Sequence, residues 1–278
     1  MHSHIANNQP VKLAASSYLN SAPLIWSFVH GSMREAVDFV EAVPAKCAQL
    51  LSQARVEVAL VPVIEYQRAE NVSLIPEVCV GSKDEVRSVL LVSRRASLDD
   101  IQSVAVDESS RTSATLVKII FREFLQRDAE WTTRSPNLEE MLELNDAALI
   151  IGDPAMVFPR KDLMVWDMAR LWRDYTGLGF VFAMWMVNDS ATERVRRVDF
   201  AAARDEGLAR KDEIISHYQA LLGLSRESIQ EYLEKNICFR VDEQMQKGLD
   251  LYFQLAHKHD LLQRVKPLKT FAPAGQAL

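Results

Sequence analysis

Hydrophobic and polar positions alternate along this chain between two rhythms. Short, almost wholly apolar runs occupy residues 11–17, 37–43, 56–63, 86–93, 101–107, 147–152, 163–168 and 180–187. Runs this short and this apolar predict strands buried on both faces. Between them the apolar residues recur at helical spacing. Leu24, Ile25 and Phe28 follow Pro23, a helix follows Pro44, and a short segment spans Glu65 to Arg68. After residue 113, Ala114, Leu116, Val117, Ile120, Phe121, Phe124 and Leu125 form one apolar face. Further helices are predicted at 138–144 and at 169–177, the latter stopped by Gly177. From Ala191 the pattern becomes helical, with segments 191–210, 212–222, 226–235 and 242–257. A loop holds Gly81, Ser82 and Lys83, and the tail 264–278 reads as irregular or loosely docked.

Strands that alternate with helices predict parallel sheets, whose ligands gather at the carboxyl ends of the strands. Three polar turns obey that rule: residues 17–21, 107–113 and 152–153. Two long apolar strands, 86–93 and 180–187, bracket the middle of the chain and read as crossings between two lobes. Lobe 1 would then comprise 1–92 and 186–278 and carry the C-terminal helices, and lobe 2 would comprise 93–185. The site falls in the cleft between them.

The central turn carries the clearest chemistry. Residues 107–113, DESSRTS, lead from a buried strand into a helix N-terminus, where free N–H groups and the helix dipole favour an anion. Ser109, Ser110, Arg111 and Thr112 are the candidate donors, Arg111 offering a fork suited to a carboxylate or phosphate. Plain capping by Ser109 or Ser110, with Arg111 in solvent, explains the same residues equally well. In the first turn, Ser17 and Tyr18 precede Asn20, whose amide both donates and accepts, or simply forms the turn. In the third, Gly152 precedes Asp153 and Pro154, a pairing that favours helix capping by Asp153. Ser88 lies inside an apolar strand, a tolerated core hydroxyl unless a pocket reaches it.

Composition removes several classes. The 278 residues carry a formal charge of −6, with 48% hydrophobic and 25% charged residues. Lys and Arg are not in excess, so nucleic acid is not an expected partner. Three cysteines without a CxxC pair argue against a disulfide framework or a zinc site. The six histidines miss all three turns, and His257 and His259 fall on different helix faces. No glycine-rich phosphate loop is present. No metal and no cofactor are therefore expected. No signal-peptide pattern and no membrane-length apolar run is visible, which sets the expectation of a cytoplasmic protein with no membrane partner. The oligomeric state is left open, a homodimer included.

Five segments together carry a family resemblance: SYLNSAPL (17–24), VRSVLLVSR (86–94), VAVDESSRTS (104–113), DAALIIGDPA (146–155) and the stretch from Trp172 to Trp185 containing TGLGFVFAMW. In this order and over most of the chain they resemble the menaquinone-biosynthesis family of the futalosine route, and within it the chorismate dehydratases. The resemblance implies an α/β, two-lobed, type II periplasmic-binding-protein-like fold with the ligand cleft between the lobes. It implies a hydro-lyase that converts chorismate to 3-[(1-carboxyvinyl)oxy]benzoate and water, without cofactor. It also implies catalytic roles for Asn20 and Ser88, and substrate contacts from Ser17, Tyr18, Ser109, Ser110, Arg111, Thr112, Gly152 and Asp153. Only Asp153 among these is a carboxylate, so the substrate's own enolpyruvyl carboxylate is the candidate base. Gly179 stands where the family commonly has proline, which is expected to loosen the turn. Two alternatives remain: the sister 1,4-dihydroxy-6-naphthoate synthase, against which the SYLN and SSRTS motifs speak, and a non-catalytic anion-binding protein.

Overall fold

The structure is a computed structural model that describes residues 9–271. Ten strands form two five-stranded sheets. The first takes the order β2-β1-β3-β10-β4, built from β1 (Val11–Ala15), β2 (Val37–Glu41), β3 (Val58–Pro62), β4 (Val72–Ser82) and β10 (Phe180–Asn188). The second takes the order β7-β6-β8-β5-β9, from β5 (Val89–Ser93), β6 (Ser103–Asp107), β7 (Glu130–Arg134), β8 (Ala147–Ile151) and β9 (Met164–Asp167). Each sheet has three parallel strands at one side, and the strand arriving from the other lobe runs antiparallel to its neighbours. The chain is thus a two-lobed α/β protein, as the strand–helix alternation predicts.

The crossings lie earlier than expected. All five residues of β5 pair inside the second sheet, and β10 pairs with β3 and β4 of the first along its whole length. The chain therefore passes between lobes in residues 83–88 and 177–179, just ahead of the two apolar strands. Residues 89–92 belong with the second sheet and 180–185 with the first, opposite to the boundaries at 92 and 186. The reason is physical: a fully apolar strand needs neighbours on both edges, which a bare linker between lobes does not have.

Two strands escaped the pattern. In β4 the run is broken by Pro76 and by Glu77, which sits at a φ of 60°. The strand tolerates both because it lies at the sheet edge. Strand β7, EWTTR, is a half-exposed edge with no apolar run to betray it. The segment 191–210 is not one helix: Thr192–Val195 ends, and Phe200–Ala209 restarts under a cap in which Asp199 accepts from Ala202 N at 2.9 Å. The tail docks in part, with Leu74 N donating to Lys269 O and Phe271 N to Leu74 O. Residues 272–278 of the predicted irregular tail lie outside the described residues.

The core runs through both lobes and is tied at the second crossing by rings. Trp172 packs edge-on to Phe180 at 5.4 Å, and Phe180 to Tyr252 at 5.1 Å. Gly179 fits into this packing: a Cβ there would lie 2.8 Å from Met245 Cγ and 3.2 Å from Ser82 O. The missing side chain makes room for Met245, so the turn is filled rather than loosened.

Candidate active site

The three polar turns do meet. Asn20 from the first lobe, Ser109, Ser110, Arg111 and Thr112 from the second, and Gly152 beside them line one cleft with Tyr18. Its apolar wall comes from Leu60, Pro62, Val80, Val89, Ile151 and Phe182, side chains of strands from both sheets. The enclosed volume is about 60 Å³, below the roughly 300–1,000 Å³ of typical ligand pockets. The cleft between the lobes is narrow in this structure. A larger, more open groove of about 840 Å³ adjoins the cleft along helix Pro44–Ser52, with Arg111 at the boundary. The charges along it are already paired, Glu65 with Arg68, Glu70 with Arg264 and Asp189 with Lys269, whereas the smaller cleft holds the polar turns.

The central turn is built by Asp107, which is buried at the end of β6. Its Oδ1 accepts from Ser109 N at 2.8 Å and from Ser109 Oγ at 2.7 Å, and burial raises its pKa. Ser110 Oγ accepts from Ala114 N at 3.2 Å, so this serine does cap the helix Thr112–Ile119. Capping and anion reception are divided rather than exclusive. The first N–H groups of a helix have no intrahelical acceptor, and Thr112 and Ser113, which carry two of them, line the cleft. Arg111 is exposed at the mouth, and no side-chain hydrogen bond or ion pair engages its guanidinium among the described residues. Thr112 Oγ1 accepts from Ile64 N at 3.3 Å, a contact between lobes.

In the first turn Ser17 and Ser21 serve the backbone. Ser21 Oγ donates to Ser16 O at 2.7 Å and to Tyr18 O at 3.0 Å, while Ser17 O accepts from Tyr218 Oη at 2.6 Å. Ser17 is not part of the cleft wall. Asn20 is, and its amide keeps donor and acceptor free of protein partners among the described residues. Tyr18 lies over Gly152, and burial raises its pKa, with the charges of Asp107 and Asp153 adding to the effect.

Asp153 does not act as the cap expected of it. The cap position is Gly152, at φ 68° and ψ −148°, and Asp153 is the first helical residue. Its Oδ1 accepts instead from Leu19 N of the other lobe at 2.8 Å. Burial pushes its pKa up to about 6, against the opposing effect of that hydrogen bond. Ser88 is also placed otherwise than in the cleft wall. It is 1% exposed, its carbonyl accepts from Gly152 N at 2.8 Å, and its Oγ accepts from Tyr232 Oη at 2.7 Å. It stands in the first crossing, directly behind the Gly152 turn.

The sequence reading missed Tyr218 and Tyr232, because a helical tyrosine looks like core until the fold shows where its hydroxyl points. No group of His, Cys, Asp and Glu able to hold a metal exists among the described residues, and no described helix is long and apolar enough to cross a membrane.

The fold and cleft define a two-lobed α/β protein with three polar turns meeting in the cleft between its lobes. The chain belongs to the menaquinone-biosynthesis family, whose model matches residues 11–258. It is similar to the chorismate dehydratase of Thermus thermophilus, with 28% identity over 264 residues, covering 88% of this chain and 94% of that protein. Among solved structures it is similar to a protein of Archaeoglobus fulgidus, with a TM-score of 0.74 at 16% identity, covering 94% of this chain and all (100%) of that one. It is also similar to the periplasmic aliphatic sulphonate binding protein of Escherichia coli, with a TM-score of 0.63 at 14% identity over 97% of this chain and 98% of that one. At these identities the structural likeness speaks for the periplasmic-binding-protein fold alone.

Proposed function

We propose that this chain is a chorismate dehydratase, a hydro-lyase that turns chorismate into 3-[(1-carboxyvinyl)oxy]benzoate and water. The similarity to the Thermus thermophilus dehydratase over 94% of that protein's length carries the reading. The chemistry of the cleft supports it: hydroxyls, helix N–H groups and Arg111 suit a dianionic substrate, and the apolar wall suits its ring. The SYLN and SSRTS motifs speak for the dehydratase over the sister synthase.

The reaction removes the hydrogen from the ring carbon that bears the enolpyruvyl ether and expels the hydroxyl of the neighbouring carbon. Aromatisation supplies the driving force, so the protein chiefly positions groups and assists the departing oxygen. The two carboxylates beside the cleft are both engaged, Asp153 with Leu19 N and Asp107 with Ser109 N and Oγ. The substrate's enolpyruvyl carboxylate, tethered beside that hydrogen, takes the proton. Asn20 and Ser88 hold this carboxylate and the leaving hydroxyl, and the proton and hydroxide leave together as water. The Ser88 carbonyl accepts from Gly152 N of the cleft wall at 2.8 Å, so this hydroxyl stays next to the Gly152 turn as the lobes move. Incubation with chorismate followed by mass spectrometry tests the assignment: the expected product is lighter by one water, and unchanged chorismate beside a folded protein refutes it.

A further inference from the structure

Three tyrosines of the C-terminal helices each end on one of the polar segments around the cleft. Tyr218 Oη donates to Ser17 O at 2.6 Å, Tyr232 Oη to Ser88 Oγ at 2.7 Å, and Tyr252 Oη to Thr112 O at 2.9 Å. Two of the acceptors are backbone carbonyls, whose geometry the chain already fixes. Tyr232 grips the hydroxyl of Ser88, a rotor with no other protein partner among the described residues. Tyr232 is 0% exposed and starts a π-helical turn, Tyr232–Asn236, that bulges toward the first crossing. The same helix clamps that crossing twice more: Arg87 Nη2 donates to Ser228 Oγ at 2.9 Å, and Asn236 Nδ2 to Glu85 O at 3.1 Å.

We propose that Tyr232 is a positioning residue for the dehydration, acting by fixing the direction of the Ser88 proton. A hydroxyl offers one proton and two lone pairs. With one lone pair receiving the Tyr232 proton, the Ser88 O–H is directed away from the phenol, and no other protein acceptor for it exists among the described residues. The Ser88 O–H is thereby kept free to donate, which is what a departing hydroxyl or a carboxylate oxygen requires. Burial raises the Tyr232 pKa, so the phenol stays protonated and the polarity of the pair does not reverse. The inference rests on the reading of Ser88 as a group that touches substrate.

The test is a cycle of Tyr232→Phe, Ser88→Ala and the double variant, with kcat and KM for chorismate and a melting curve for each. Tyr232→Phe keeps the buried ring and is expected to lower kcat roughly tenfold to hundredfold, the scale of a small misplacement of reacting groups, with KM changed less than about twofold. In the Ser88→Ala background the same change is expected to do nothing further, because the hydroxyl it orients is gone. Equal loss in both backgrounds overturns the positioning role. Ser88→Ala with normal turnover refutes the reading of Ser88 itself, whereas a crippled Ser88→Ala beside a normal Tyr232→Phe refutes only the present inference. If Tyr232→Phe does not fold, 3-fluorotyrosine at 232 keeps packing and hydroxyl while strengthening the donor. A kcat altered at least twofold at constant KM then supports the role, and an unaltered one overturns it.

Discussion

Leu19 N donates to Asp153 Oδ1 at 2.8 Å, and the two residues belong to opposite lobes. A carboxylate that bridges a cleft loses its water when the cleft shuts. Burial accordingly lifts Asp153 from 3.8 to about 6 in the closed form. The sign follows. A raised carboxyl pKa means that the closed, folded form binds the proton more tightly than an open or unfolded one. The contribution of Asp153 to stability is therefore fully present below about pH 4 and lost as pH rises through 6. Between about pH 4 and 6.5 the melting temperature is expected to fall, and Asp153→Asn, neutral throughout and still an acceptor for Leu19 N, should flatten that part of the curve. The difference at pH 7.5 is on the order of 2–3 kcal/mol in favour of the variant. Melting curves of both proteins across that range decide it; parallel curves would refute the assignment.

Arg111 is exposed and engages no other side chain among the described residues, so its removal should leave the fold alone. Arg111→Ala is expected to raise KM for chorismate about tenfold to hundredfold, the equivalent of roughly 1.5–3 kcal/mol for a lost bond to a charged group. The melting temperature should not move. An unchanged KM would place the carboxylate elsewhere and leave Ser110 and the helix N–H groups as the anion site.

Gly152 makes two demands that only glycine meets. Its φ of 68° with ψ of −148° is a region closed to residues with a Cβ, and a Cβ there would stand 2.6 Å from two carbons of the Tyr18 ring. Gly152→Ala is expected to destabilise the protein by about 2–4 kcal/mol, combining backbone strain of roughly 1–3 kcal/mol with the clash. Adding Tyr18→Ala relieves the clash but not the strain. Urea denaturation of the single and double variants should show partial recovery; full recovery would mean that the ring contact, not the backbone, needs glycine.

What the chain discloses before folding depends on the range of the interaction. Strands such as β8 and β10 are wholly apolar, and turns such as 107–113 carry polar residues at a helix start, so both can be read locally. The convergence of Asn20, Arg111 and Gly152 also follows, because parallel strands bring their carboxyl ends together. What does not follow is which partner a polar side chain chooses. Asp153 followed by Pro154 looks like a cap in sequence, yet its partner is the amide of Leu19, 134 positions away. Ser88 was singled out by resemblance alone. Only the helical segment 226–236 shows that its hydroxyl is held by a tyrosine. The crossings were misplaced for a related reason: apolarity marks a buried strand but not the sheet in which it is buried.

The first crossing depends on one carboxylate at the end of β9. Asp167 accepts from Val86 N at 3.0 Å and Arg87 N at 2.6 Å through Oδ2, and from Ala169 N at 3.0 Å and Arg170 N at 3.1 Å through Oδ1. One side chain thus caps the helix Met168–Thr176 and fixes the backbone by which the chain changes lobe. Arg87, between them, sits at a φ of 57°, a strained conformation for a residue with a Cβ. Asp199 makes a useful comparison, since it caps Phe200–Ala209 through Ala202 N and touches no crossing. Losing that ordinary cap in Asp199→Ala should cost about 1 kcal/mol. Asp167→Ala loses a cap and leaves two crossing amides unmet, so it should cost about 3–5 kcal/mol, with hydrogen bonds to a charged group contributing roughly 1.5–3 kcal/mol each. Asp167→Asn, which keeps one acceptor oxygen, should fall between the two. Equal costs for Asp167→Ala and Asp199→Ala in urea denaturation would mean that Asp167 is a helix cap and nothing more.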